Sequence, residues 1–203
     1  ENDTDADIVV PVPDSGNAAA MGFAQQLKMN FEHGLIRNHY VGRTFIEPSQ
    51  KIRSLGVKLK LNANQSVIKD KKIILVDDSL VRGTTSSKIV KMLYDAGAKE
   101  VHLRIASPEI KFPDFYGVDM PTKEELLAHE KNIHQMTECI KATSLKFLSL
   151  DGLYLALVGE KRNVVYPQFS DHYFTGDYPI KPSDKLKGFK VKQLSLLSGK
   201  SNS

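Results

Sequence analysis

Two adjacent acidic residues and the polar loop behind them are the part of the sequence best suited to bind a ligand. Asp77 and Asp78 directly follow an apolar run at residues 73–76, which is typical of a central parallel strand. Gly83 and several hydroxyl side chains come next, and a helical pattern begins at about residue 86. Ligands of parallel α/β sheets bind beyond the carboxyl ends of the strands. This turn is therefore a candidate binding site.

The two parts of the turn suit opposite chemical groups. The backbone amides of residues 82–86, with the partial positive charge of the helix N-terminus, favour a phosphate. The carboxylates of Asp77 and Asp78 suit a sugar diol or a magnesium ion, because Mg²⁺ prefers hard oxygen ligands. The sequence therefore predicts a ligand that carries a phosphate at one end and a diol about one ribose away.

Other nucleotide-binding motifs are missing from the sequence. A P-loop requires Gly-x-x-x-x-Gly-Lys-Ser/Thr and a dinucleotide site requires Gly-x-Gly-x-x-Gly, and neither full pattern occurs. The tripeptide at 199–201 is Gly-Lys-Ser, but Leu194 stands where the first P-loop glycine is required. The remaining alternative is an ordinary strand end with two solvated aspartates, as in a phosphotransfer or nucleotide-hydrolysis protein.

Strand and helix patterns alternate around the turn, which predicts an α/β fold with a mainly parallel central sheet flanked by helices. An earlier strand at 8–12 ends in a turn at 13–16, and a helix is predicted from about 17 to 31 with Asn17 as its N-cap. The later predicted elements are helices at 86–96, 122–130, 133–141 and 152–158 and strands at 101–106 and 145–149.

Residues 42–66 are polar and basic, contain Pro48 and Gly56, and show no strong periodicity. Long loops in compact domains are usually functional or disordered, so a flexible loop that covers an anion is predicted here. One domain is expected over residues 1–184, with a flexible tail at 185–203. Because the chain starts at Glu1, close to a strand, it is expected to belong to a longer protein.

Composition excludes several classes of protein. The 203 residues are 41% hydrophobic, and no stretch reaches the roughly 18 apolar residues of a spanning helix. The net charge of +4 is mild and has no block of like charges, so neither nucleic acid nor a membrane is expected as a partner. Cys139 is the only cysteine, which rules out a disulfide framework within this chain and fits a cytoplasmic location.

Residues 76–86 resemble the fingerprint of type I phosphoribosyltransferases, which bind 5-phosphoribosyl-1-pyrophosphate (PRPP). The amino-acid sequence of this segment is particularly similar to that of the glutamine PRPP amidotransferases, also called amidophosphoribosyltransferases. Residues 40–46, 60–62 and 107–120 resemble the same family, and residues 10–16 resemble its pyrophosphate-side loop. The resemblance covers about residues 7–180, the phosphoribosyltransferase half of such enzymes. It implies a type I phosphoribosyltransferase fold and the first committed step of purine biosynthesis, in which ammonia displaces pyrophosphate from PRPP to give 5-phosphoribosylamine.

The resemblance also implies roles for individual residues. Asp77 and Asp78 would hold the ribose hydroxyls and, with Ser15, a magnesium ion. Residues of the following loop would complete the PRPP site and cradle the 5-phosphate: Ser79, Arg82, Gly83, Thr84, Thr85 and Ser86.

The basic loop at 42–66 resembles the family's catalytic loop. This resemblance implies catalytic roles for Arg43, Lys58 and Lys60. It also implies that Tyr40 and Ile46 lie along a path for ammonia.

The chain also departs from the family pattern. The glutaminase domain, with its N-terminal cysteine, is expected in cis in the full-length protein, so this chain is expected to use free ammonia only. The places expected for iron–sulfur ligands, near Asp114 and at 170–173, contain no cysteine, so the cluster-free branch is predicted. Homo-oligomers and nucleotide feedback inhibitors are further expectations from the resemblance.

Two other functions stay open at this point. A PRPP-binding regulatory module would have the same fold but would carry a DNA-binding segment. A phosphoribosyltransferase for a nucleobase would need a hood that recognises the base, and the sequence does not show whether residues 108–180 form one.

Replacing Lys60 by alanine is expected to lower ammonia-dependent turnover more than PRPP affinity, because a cation of the loop would act mainly on the charge that develops on leaving pyrophosphate. Steady-state kinetics and calorimetric titration with PRPP measure the two effects separately. Equal losses in turnover and affinity would contradict a transition-state role.

Overall fold

A parallel five-stranded sheet forms the centre of the protein. The computed structural model describes residues 5–38, 61–117 and 122–180. In this part of the chain the strands of the sheet are β1 (Ile8–Pro11), β2 (Asn30–Phe31), β5 (Lys72–Asp77), β6 (Glu100–Ile105) and β7 (Ser144–Phe147), and a separate antiparallel pair consists of β3 (Leu35–Arg37) and β4 (Leu61–Ala63). The strand order of the sheet is β2-β1-β5-β6-β7, and every neighbouring pair is parallel. The predicted α/β class is therefore confirmed.

Helices connect the strands and cover the sheet. Within the described residues, none of them is both long enough and apolar enough to cross a membrane. They are α1 (Asn17–Leu27), α2 (Gln65–Ile68), α3 (Thr84–Asp95), α4 (Leu127–Glu130), α5 (Ile133–Ile140), α6 (Leu150–Val158) and α7 (His172–Thr175), with a 3₁₀ turn at Lys123–Glu125.

The sheet has a hydrophobic core on each face. Successive side chains of a strand point to opposite faces, so Ile73 and Leu75 of β5 contribute to one core and Ile74 and Val76 to the other. The first core includes side chains of α3 and α5, and the second includes side chains of α1. Because both faces are covered, β5 is apolar at every position from 73 to 76, which is why its sequence lacks the alternation of a half-exposed strand.

Helix α1 begins at Asn17 as predicted, but its N-cap and its C-terminal end differ from the prediction. Gly16, rather than the predicted Asn17, is the N-cap, and Asn17 is the first helical residue. The helix ends at Leu27, since Lys28 adopts a left-handed conformation with φ 54°. Phe31, predicted as helical, lies in β2. Phe31 continues the helical spacing of the apolar residues of α1 because its side chain packs on the same core as that helix.

The single helix predicted at 122–130 is also wrong. A 3₁₀ turn and α4 occupy this range, and Leu126 between them is extended and buried. The interruption has a tertiary cause, because the Leu127 N–H donates a hydrogen bond to the Val81 carbonyl at 2.9 Å. This contact joins the segment to the candidate phosphate loop.

The predicted loop at 42–66 is too long at its C-terminal end. Residues 61–66 include β4 and the start of α2, and the buried Leu61 pairs with Arg37 of β3. The candidate loop residues Tyr40, Arg43, Ile46, Lys58 and Lys60 lie outside the described residues, as do the predicted boundary at 184 and the tail at 185–203.

A buried cluster around Asp171 links α6, and the segment that follows it, to the start of α7. The Asp171 carboxylate accepts hydrogen bonds from the Tyr154 hydroxyl at 2.8 Å and from Arg162 Nε at 2.5 Å. Burial alone would raise the pKa of Asp171, but the hydrogen bonds from Arg162 and Tyr154 lower it. Arg162 also pairs with the more exposed Asp177. The C-terminal part of the described chain is therefore joined by charge as well as by apolar packing.

We expect Asp171→Ala to reduce the free energy of unfolding by about 3 kcal/mol, because it leaves the Arg162 charge buried without its main partner. Urea denaturation monitored by circular dichroism measures the change. The control is Asp151→Ala, which removes an exposed partner of Lys161 and should cost less than about 1 kcal/mol. Equal costs in the two variants would contradict a stabilising role of the buried pair.

Candidate functional site

The candidate site lies between β1 and β5, where the chain continues from the two neighbouring strands toward opposite edges of the sheet. These strands are neighbours, with Pro11 opposite Val76 at their carboxyl ends. From β1 the chain continues through α1 to β2 on one side, and from β5 it continues through α3 to β6 on the other side. Because the helices pack on opposite faces, a crevice opens between the two strand ends. Parallel α/β proteins bind ligands at such a position.

The predicted metal-site residues come together in this crevice. Asp77 ends β5 and is buried, and its Oδ1 accepts a hydrogen bond from the Asp78 N–H at 2.9 Å. The exposed Asp78 accepts a hydrogen bond from Ser15 Oγ at 3.3 Å. Ser15 belongs to the turn after β1, so residues that are far apart in sequence meet because their strands are paired.

Burial controls the charge of this acidic pair. It raises the pKa of Asp77 to about 8, and the neighbouring Asp78 adds to the increase through its hydrogen bond and its charge. In the free protein at neutral pH, Asp77 therefore holds a proton, and the pair carries less negative charge than its two carboxyl groups suggest. A cation or a hydroxyl donor between the two groups would favour the ionised form.

The donor atoms fit a magnesium ion that is completed by a ligand. Two carboxylates and the Ser15 hydroxyl are hard oxygen donors. Within the described ranges, no group of three or more His, Cys, Asp and Glu side chains is placed to hold a metal. Mg²⁺ commonly uses one or two carboxylates together with water and substrate phosphate oxygens. The site therefore suits a metal that arrives with a phosphorylated substrate.

The loop before α3 suits an anion. Gly83 is the N-cap with φ 74°, and a Cβ atom there would lie 2.6 Å from the Leu127 side chain, so both conformation and space favour glycine. No side chain from the described part of the chain caps α3. The first amides of a helix have no acceptor within it, so the amides of Thr84, Thr85 and Ser86 are available to a phosphate.

The side chain of Arg82 forms an ion pair with Glu125. Its Nε and Nη2 both donate to Glu125 Oε2, at 3.0 and 2.8 Å. Glu125 would therefore compete with a phosphate for the guanidinium of Arg82. Ser79 is half-buried between Asp78 and the buried Leu80.

A cavity of about 340 Å³ lies beside the same loop, between α3 and α5. Arg82, Gly83 and Thr84 contribute to its lining, but neither carboxylate does. A ligand that needs the acidic pair cannot be held by this cavity alone, so the open crevice is the better candidate.

Two charged residues near the crevice were not singled out from the sequence. Arg37, the last residue of β3, forms an ion pair through Nη1 with Asp14 Oδ2 in the turn after β1. The sequence carries no spacing signal for this contact, because β3 reaches the turn only through the tertiary fold.

The places expected for iron–sulfur ligands lie against each other. His172 Nε2 and Asp114 Oδ1 are 2.8 Å apart, and both side chains are almost fully buried. The Lys111 N–H also donates to the Tyr173 carbonyl at 2.9 Å. The structure therefore joins the two segments by hydrogen bonds.

The pKa of Asp77 predicts a pH-dependent stability. The native state keeps the Asp77 proton up to about pH 8, whereas the unfolded chain loses it near the usual 3.8. The free energy of unfolding should therefore fall as pH rises through this range, by at most about 1.4 kcal/mol per pH unit. Asp77→Asn should reduce this slope and be more stable than the unsubstituted protein near pH 8 in magnesium-free buffer. Urea denaturation from pH 5 to 8 measures these free energies of unfolding, and Asp151→Asn, at an exposed carboxylate, is the control. If the unsubstituted protein, Asp77→Asn and Asp151→Asn lost stability equally with rising pH, the raised pKa of Asp77 would be contradicted.

Comparison with known proteins identifies relatives along the whole chain. The phosphoribosyl transferase domain family matches residues 1–107. An amidophosphoribosyltransferase of Rhizobium etli is 57% identical over 98% of this chain and 40% of its own length. The chloroplastic amidophosphoribosyltransferase 1 of Arabidopsis thaliana is 52% identical over 91% of this chain and 32% of its own length.

A solved structure gives the same result. The glutamine PRPP amidotransferase of B. subtilis, complexed with ADP and GMP, superposes with a TM-score of 0.78 at 46% identity, over 91% of this chain and 40% of that one. The chain thus spans at most about 40% of the length of these relatives. The resemblance to amidophosphoribosyltransferases is confirmed, and the chain belongs to the phosphoribosyl transferase domain family.

Proposed function

We propose that this chain binds PRPP with Mg²⁺ and performs the phosphoribosyl transfer of an amidophosphoribosyltransferase, in purine biosynthesis. The observation that carries the proposal is the arrangement of Asp77 and Asp78 beside the uncapped N-terminus of α3, at the crevice between β1 and β5. This arrangement offers acceptors for a diol next to donors for a phosphate. The relatives named above carry the corresponding activity in their names.

The reaction exchanges one bond at C1 of the ribose. The nitrogen lone pair of ammonia forms the new C1–N bond while the C1–O bond to pyrophosphate breaks and its electrons leave with pyrophosphate. One proton is released, and 5-phosphoribosylamine is the product. The transition state has positive charge on the ribose, so a fixed position of the ring matters more than acid–base catalysis.

The residues of the crevice would fix that position. The carboxylates of Asp77 and Asp78 would accept hydrogen bonds from the two ribose hydroxyls, and the amides at the start of α3 would hold the 5-phosphate. Ser15, Asp77 and Asp78 would hold a magnesium ion, which would supply positive charge to stabilise the departing pyrophosphate. The raised pKa of Asp77 supports this role, because the buried Asp77 and its exposed neighbour Asp78 can both ionise readily only when a cation or a hydrogen-bond donor lies beside them.

The catalytic-loop residues belong to the same proposal. Arg43, Lys58 and Lys60 would stabilise the leaving group and exclude water, and Tyr40 and Ile46 would line the ammonia path. The pairing of Arg37 with Leu61 supports this placement, because it brings the two described ends of the segment together beside the turn after β1.

The partners are proposed on the same basis. PRPP, ammonia and pyrophosphate follow from the reaction, and a glutaminase domain in cis agrees with the greater length of the relatives. Nucleotide inhibition is supported by the ADP and GMP in the B. subtilis complex. We further propose a homo-oligomer in the cytoplasm, with no nucleic-acid or membrane partner and no iron–sulfur cluster.

A nucleobase transferase or a PRPP-sensing regulator is less well supported. The solved relative is an amidotransferase at 46% identity, and it aligns over 91% of the chain, including the segment that would have to form a base-binding hood.

Alanine at Asp77 or at Asp78 should weaken magnesium-dependent PRPP binding by at least about tenfold, since each carboxylate has its own ligand partner and charge-assisted hydrogen bonds are the stronger ones. Isothermal titration calorimetry with PRPP and Mg²⁺ measures the change. Asp95→Ala, at the far end of α3 in an exposed ion pair, is the matched control and should bind normally. Normal affinity in both site variants would reject the proposed function.

A further inference from the structure

Arg37 lies against the candidate site without a role in the function proposed so far. Its guanidinium forms an ion pair with Asp14, and Asp14 precedes Ser15, whose hydroxyl contacts Asp78. Two polar contacts, made by neighbouring residues of one turn, therefore connect the end of β3 to Asp78. These residues come from three strands or strand ends, so only the fold brings them together.

The position of the sugar determines which group of the ligand lies beside the turn at residues 13–16. If the 5-phosphate lies at the first amides of α3 and the diol lies at Asp77 and Asp78, the C1 substituent extends away from α3. The turn at residues 13–16 contacts Asp78 through Ser15, at the diol end of the proposed sugar position. The substituent at C1 of PRPP is a diphosphate, and the exposed Asp14 carboxylate alone would repel it.

We propose that Arg37 is a further binding residue for the C1 diphosphate, with Asp14 as the group that positions it. This inference rests on the proposed function and names the residue that distinguishes PRPP from a ribose phosphate without the diphosphate. A guanidinium has five N–H donors in a planar fork. Only Nη1 contacts Asp14, and Nε and Nη2 have no partner among the described residues. One face of Arg37 can therefore hold Asp14 while the other donates to a phosphate oxygen.

Exposure distinguishes this role from a structural one. The side chains of Arg37 and Asp14 are 34% and 50% exposed, so a ligand can reach them. Exposed ion pairs contribute little to stability. The β3–β4 pair is held by the buried Leu35 and Leu61 instead. Removing the Arg37 side chain should therefore leave the fold intact.

The test compares two ligands that differ only in the diphosphate. Calorimetry in the presence of Mg²⁺ measures the affinities of PRPP and ribose 5-phosphate for the full chain. Arg37→Ala should weaken PRPP binding by about tenfold or more, the loss of one charge-assisted hydrogen bond, and ribose 5-phosphate binding by less than about twofold. Arg37→Lys should retain part of the PRPP affinity. Adding Asp14→Asn to Arg37→Ala should restore part of it, because the repulsive carboxylate is gone.

Lys91→Ala is the matched control, because it also removes a cation from an exposed ion pair but lies on the second half of α3. It should bind both ligands normally. Equal losses of both ligands in Arg37→Ala, or PRPP affinity that is unchanged in a folded variant, would overturn the inference. Failure of the proposed function is distinct, since it would show as a lack of PRPP binding by the unsubstituted protein or as normal binding by the Asp77 and Asp78 variants.

Discussion

The candidate site depends on the close contact between the end of β1 and the end of β5. The Val12 N–H donates to the Val76 carbonyl at 2.8 Å, which continues the pairing of the two strands into the turn. Gly16 lies so close to the same carbonyl that a Cβ atom would be only 2.5 Å from it. A side chain at Gly16 would therefore separate the turn from β5. Because this approach is possible, Ser15 reaches Asp78, and a turn and an acidic pair from different strands form one site.

The same packing makes the acidic pair costly for the free protein. Asp77 is removed from water and lies beside a second carboxylate, and both effects raise its pKa. No basic side chain of the described residues forms an ion pair with Asp77. A protein selected for stability alone would place an apolar or amide side chain there. The unfavourable burial is thus best explained by a ligand that supplies the missing positive charge and hydrogen-bond donors.

Sequence patterns predict those features that depend on local chemistry. Residues 73–78 combine a buried strand with an acidic end, and the glycine and hydroxyl residues behind them predict the helix N-terminus that follows. Patterns fail where a tertiary contact decides. Phe31 keeps the helical period but belongs to an edge strand, because both elements cover the same core. The helix predicted at 122–130 is interrupted by the hydrogen bond of Leu127 to Val81, and the Arg37–Asp14 pair joins segments with no shared periodicity.

The C-terminal part of the domain shows how hydrogen bonds join the two segments at which iron–sulfur ligands would be expected in a relative that carries a cluster. Asp114 and His172 lie at the two places expected for cluster ligands, and they contact each other at 2.8 Å in a nearly water-free environment. The backbone bond from Lys111 to the Tyr173 carbonyl and the bond from the Tyr178 hydroxyl to the Pro113 carbonyl lie beside them. Removing one partner of a buried pair is strongly destabilising, because it leaves the other partner buried and unsatisfied. Such a connection therefore constrains the two positions together, as a shared metal would, but it requires a carboxylate and an imidazole rather than thiolates.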